Sequence, residues 1–119
     1  RDELEPVFEM RNEISEFYLA ANAGAWEFMR AHPHGPGIDG ISHPDALTIA
    51  MAIDEGVIRA RGRFFVDVET RGELTSGYSV VDTFGVLERK PNAEVVVRAD
   101  KERFKRMLFD LLSGGRAEP

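Results

Sequence analysis

Cysteine is absent from the 119 residues, which excludes a disulfide framework, a thiolate nucleophile and a zinc–thiolate site. An excess of basic residues is missing too. Fifteen Lys and Arg stand against 21 Asp and Glu, a formal net charge of −6, which argues against a broad phosphate-tracking surface and against nucleic acid as a partner. No apolar run approaches the length of a bilayer span and no signal peptide is visible, so no membrane partner is expected. The chain also lacks a DxDxDG calcium loop, an HExxH helix and a GxSxG elbow, and with them the commonest sequence signatures of metal and serine chemistry. What remains is an ordinary globular composition, 43% hydrophobic and 30% charged, long enough for one domain with a modest core. The first residues are Arg1-Asp2-Glu3 and not methionine, which suggests a processed product or a piece of something longer.

Helical spacing dominates the first half. From Glu5 to Met29 the apolar residues Val7, Phe8, Ile14, Phe17, Tyr18 and Leu19 recur at near-helical intervals. Ala23-Gly24-Ala25 weakens the pattern midway, giving either two helices or one kinked helix. Residues 31–40, AHPHGPGIDG, hold three glycines and two prolines and read as an exposed loop. Pro44 to Ile53 is apolar on every side, which predicts a helix packed within a core, with Gly56 suited to the left-handed residue that ends it.

The period then changes to that of strands. In RFFVDVET (63–70), Phe64, Val66 and Val68 alternate with Phe65, Asp67 and Glu69. GYSVVDTF (77–84) and AEVVVRA (93–99) are two further candidates, separated by the turn former Lys90-Pro91-Asn92. Asp100 suits an N-cap before KERFKRMLFDLL, where Phe104, Met107, Leu108, Leu111 and Leu112 make one stripe and Lys and Arg fill the other face. Ser113-Gly114-Gly115 ends that helix. The order of elements says mixed α and β.

The candidate chemistry centres on GISHPDALTIAMAID (40–54), where a polar knot opens an apolar helix. Ser42-His43-Pro44-Asp45 fits a capping box, with Ser42 accepting from the backbone and Asp45 reaching back. Proline in the first turn and an aspartate near the positive end of the helix suit that reading. The functional alternative is that Asp45 supplies one oxygen to a hard cation whose other ligands come from separate segments. Asp67 and Glu69 share a strand face and make a glycosidase-like carboxylate pair conceivable, although a solvated outer face explains them as well. Thr75-Ser76-Gly77 reads as a hairpin turn.

Three stretches carry a family likeness: HPDALTIAMAID (43–54), VDVETRGELTSGYSVVD (66–82) and PNAEVVVRADKERFKRMLFDLL (91–112). In this order and spacing the chain resembles the C-terminal part of the inosine-uridine-preferring nucleoside hydrolases, from its first helix to about Leu112. The resemblance implies an α/β fold in which residues 1–119 form the C-terminal part of an open, largely parallel sheet flanked by helices, the fragment itself being mixed α and β. It implies hydrolysis of the N-glycosidic bond of nucleosides to free base and ribose. It also implies a Ca²⁺ ion that grips the ribose hydroxyls and lowers the pKa of a bound water. Asp45 matches a metal-binding aspartate of the family, and its role would be to fix the cation. Trp26, Phe28, His32 and His34 lie where the family covers its pocket, which makes them substrate-side candidates; helix packing and a mobile loop are their plainer readings. A homo-oligomeric, cytoplasmic salvage enzyme is implied as well.

Two departures from the family pattern matter. Many members place histidine directly before the aspartate, to protonate the leaving base. Here Pro44 holds that position and His43 lies one residue earlier, a turn of roughly 100° on a helix. His43, a histidine of the 31–40 loop, or another activation of the leaving group therefore stays open. Nothing here resembles the family's DxDxGxDD segment, which supplies the catalytic base and most metal ligands. The chain by itself is thus expected to be inactive, completed by an N-terminal segment or a complementary chain. A non-catalytic family-derived chain that packs against a partner, and a small independent α+β binding module, are the competing readings.

Overall fold

The structure, a computed structural model, describes residues 4–31 and 42–115. Its elements fall into two compact units, one of Arg1–Val57 with Lys101–Pro119 and one of Ile58–Asp100. The fold class is mixed α and β, as expected.

In the first unit the N-terminal helical stretch is two helices, α1 (Glu5–Met10) and α2 (Glu13–Ala31). They part earlier than the expected Ala23-Gly24-Ala25. Arg11 adopts a left-handed backbone (φ 45°, ψ 45°), and Asn12 then starts α2 by accepting from the backbone N–H groups of Ile14 (2.9 Å) and Ser15 (3.0 Å). The Ser15 hydroxyl, buried to 1% exposure, donates to the Asn12 carbonyl at 2.9 Å. This local bonding outcompetes the continuous helix that the apolar spacing suggests. Gly24 simply continues inside α2.

Helix α3 (Pro44–Ile53) leads into a 3₁₀ turn (Glu55–Val57), and α4 (Lys101–Leu112) closes the unit. The fully buried apolar residues are Val7, Ala50, Val57 and Leu112, one each from α1, α3, the turn and α4. The larger three contribute roughly 1.5–3 kcal/mol apiece. The α4 stripe is as expected for Phe104, Met107 and Leu108, which are half-buried, but Leu111 is 53% exposed.

Two expectations for α3 are corrected. It is not wrapped in a core: Ile49 and Ile53 are 60% and 65% exposed. Nor does Gly56 end it in a left-handed conformation, because Asp54 is the C-cap in an extended conformation (φ −137°, ψ 101°) and Gly56 lies within the 3₁₀ turn. Glycine is required there for room. A Cβ at position 56 would stand 2.7 Å from the guanidinium carbon of Arg103.

The second unit is a three-stranded antiparallel sheet in the order β2-β1-β3, from β1 (Ile58–Val68), β2 (Ser79–Asp82) and β3 (Ala93–Ala99). The first strand begins five residues before the alternating segment that marks it in the sequence. Asn92 extends the ladder with its side chain, accepting from Val66 N–H (2.7 Å) and donating to the Val66 carbonyl (2.8 Å). Gly77, at φ +86°, supplies the backbone that the 69–78 turn needs. No residue of this unit is fully buried.

Candidate functional site

The polar knot before α3 does not form the expected capping box. His43, not Ser42, is the N-cap, and no side chain caps the helix. Pro44 at the first helical position removes a donor that would otherwise lack a partner. Asp45 is exposed in the first turn, where a carboxylate complements the helix dipole, and its oxygens accept no hydrogen bond among the described residues.

His43 is held from the side by α2. Its Nε2 lies 2.6 Å from the Tyr18 hydroxyl, and the two rings sit 5.5 Å apart at 42°. Partial burial lowers the His43 pKa and raises that of Tyr18, since both charged forms lose hydration. At neutral pH the pair is therefore an uncharged imidazole and an uncharged phenol. Tyr18 appears in the sequence only as a member of the helical stripe. The available signal was its hydroxyl, which needs a partner once the ring is covered.

The other candidates are not gathered around His43. Trp26 packs its ring against Phe8 at 5.9 Å, roughly 12 Å along the α2 axis from Tyr18 at 1.5 Å per residue. Phe28 lies roughly 200° around the same helix from Trp26 and is 61% exposed. The expectation for His32 and His34 falls outside the described residues. Among the described residues no group of three or more His, Asp or Glu side chains converges as a metal site. Asp45 alone does not make a calcium site, because that ion takes about six to eight oxygens.

The strand carboxylates have other uses. Glu69 accepts from the N–H groups of Arg71 (2.6 Å) and Gly72 (3.0 Å), bonds that hold its pKa down. Asp67 lies 3.9 Å from Arg89, whose guanidinium covers the Phe65 ring at 5.0 Å. A groove of about 550 Å³ opens beside them. Its Asp67 and Arg89 are already opposed to each other, and it contains none of the candidate residues.

The inosine-uridine preferring nucleoside hydrolase family model matches residues 2–106. The chain belongs to that family. Similar family members include the pyrimidine-specific ribonucleoside hydrolases RihA of Shigella boydii serotype 4 (strain Sb227), Shigella flexneri and Escherichia coli (strain K12). Each is 32% identical over 108 residues, 90% of this chain and 31% of the relative. The chain thus spans about a third of the length of the curated nucleoside hydrolases it matches. Among the described residues no helix is long and apolar enough to cross a membrane.

Proposed function

We propose that this chain is the C-terminal portion of a ribonucleoside N-ribohydrolase, active as part of a longer or two-chain enzyme that releases free base and ribose. Family membership across residues 2–106 is the observation that supports it. The names of the RihA relatives favour pyrimidine ribonucleosides as the substrate class. The enzyme is cytoplasmic, serves nucleoside salvage and forms a homo-oligomer in this reading.

In this reading Asp45 is one ligand of a Ca²⁺ ion whose remaining ligands lie outside these 119 residues. Its exposed carboxylate, which no capping bond engages, suits that role. His43 donates a proton to the departing base, and Tyr18 fixes the ring. Tyr18 is a positioning residue and not the proton source, because burial makes its anion costly. Phe28 offers an open aromatic face to the base, and Trp26 steadies α2 through Phe8. His32 and His34 complete the substrate side.

The test is a longer polypeptide that restores an aspartate-rich segment. It is expected to release base from uridine in a Ca²⁺-dependent way, and Asp45→Ala is expected to abolish release. Full activity in that variant refutes the metal assignment. The competing reading, a non-catalytic partner-binding or oligomerisation chain, takes support from the absence of a metal-binding cluster among the described residues. It prevails if the longer gene contains no aspartate-rich segment.

A further inference from the structure

Half of the circumference of α3 is exposed, and its composition is that of an interface. At 100° per residue, Asp45, Thr48, Ile49, Ala52 and Ile53 fall within an arc of roughly 140°, and all five are exposed. Ala46, Leu47, Ala50 and Met51 turn the other way and are at least half-buried. Solvated helix faces are normally rich in charge. In a chain with 30% charged residues, this stripe carries a single charge.

The polar groups of the stripe tell what can cover it. The Thr48 hydroxyl donates to the Pro44 carbonyl at 2.9 Å, so it asks nothing of a covering surface. Asp45 is then the one side chain on the stripe without a polar partner among the described residues. A carboxylate carried unpaired into an apolar contact costs several kcal/mol, so the occupant must bring positive charge.

We infer that the stripe Asp45–Thr48–Ile49–Ala52–Ile53 is the docking face for the polypeptide that completes the nucleoside hydrolase fold, an apolar surface with one cationic centre, bound metal or basic side chain, opposite Asp45. The inference rests on the hydrolase reading above. The chain spans 31% of its relatives' length, so about two-thirds of the family's polypeptide lies beyond the matched region and has this part of the fold as its neighbour. A second copy of the chain fits poorly. Each copy carries a net charge of −6, and the stripe offers no cation to its partner's aspartate.

The absence of cysteine makes the test direct. Ile49→Cys and Ile53→Cys each place a single thiol on the stripe, and Phe84→Cys places one at a position 91% exposed in the sheet unit. Maleimide labelling is followed on the whole chain alone and on the chain co-expressed and purified with the two-thirds of Escherichia coli RihA that the match leaves out. At a ligand concentration ten times Kd, labelling at 49 and 53 slows roughly tenfold, whereas labelling at 84 is unchanged. Ile49→Lys combined with Ile53→Lys abolishes co-purification, and Phe84→Lys preserves it. Unchanged labelling at 49 and 53 overturns the proposal. So does slowing that grows with the concentration of the chain alone, which makes a second copy the occupant. Protection that persists in EDTA, without Ca²⁺-dependent hydrolysis, upholds the docking face while removing the metal role of Asp45. Hydrolysis without protection removes the docking face and leaves the hydrolase reading standing.

Discussion

At the scale of single residues, the pairing of Tyr18 with His43 has a measurable consequence that requires no catalysis. Burial lowers the His43 pKa from 6.5. Above pH 6.5 the folded and unfolded imidazoles are both neutral, so this residue contributes no pH dependence. As pH falls below 6.5 the unfolded chain takes up a proton that the folded chain resists, and stability declines until the lowered folded pKa is passed. Equilibrium urea unfolding is therefore expected to show a loss of stability between pH 7.5 and pH 5, and His43→Gln to remove that slope. An unchanged slope in the variant assigns the proton to another group. Tyr18→Phe removes one hydrogen bond and is expected to cost about 1 kcal/mol at pH 7.5. The sequence shows both residues and conceals their meeting. They are 25 positions apart, and periodicity speaks only of neighbours on one element.

The elements themselves were legible where their signal is local. The alternating valines of β3 mark out residues 93–99 as the structure has them, and the apolar stripe of α4 needs only its own spacing. The start of α2 was hidden because it depends on the side-chain bonds of Asn12, one of which reaches the Leu112 carbonyl at 2.9 Å, 100 residues away. The end of α3 was misread for a similar reason. Asp54 accepts from Gly56 N–H at 2.9 Å and pairs with Arg103 of α4, so distant chemistry fixes a turn that glycine alone would suggest. A methyl group at Gly56 meets the mobile end of Arg103 and not backbone. Gly56→Ala is thus expected to leave the helices in place and to detach Arg103 from Asp54. The pair holds the Asp54 pKa down, Arg103 first and Gly56 second. Its stabilisation is present above the ordinary value of 3.8 and is lost as pH falls through the lowered folded value. NMR titration of the Asp54 carboxyl is the check: its midpoint moves up toward 3.8 in Gly56→Ala and stays put if the pair tolerates the methyl.

At the scale of the whole molecule, the small core is the governing fact. The sequence reports enough apolar residues for a core, yet it cannot report how many of them this chain covers by itself. Ile49, Ile53, Phe17 and Phe28 are each at least 60% exposed, and their hydrophobic spacing is that of buried faces, so the pattern is consistent with burial against polypeptide outside the 119 residues. The adjacent leucines at the end of α4 test how the existing core carries the helical unit. Leu112 is 3% exposed and Leu111 is 53% exposed, a difference set by the turn of roughly 100° between them. Leu112→Ala leaves a cavity among the few fully covered side chains and is expected to cost about 2–5 kcal/mol. Against the roughly 5–15 kcal/mol that holds a typical domain together, that is enough to unfold much of the population. Leu111→Ala removes the same atoms from a half-open position and is expected to cost distinctly less, about 1 kcal/mol or below. Denaturant unfolding of the full chain, followed by far-UV circular dichroism, separates the two variants. Equal losses would mean that Leu111 is covered as fully as Leu112 in solution, and therefore that the α4 face bearing Leu111 already has an occupant.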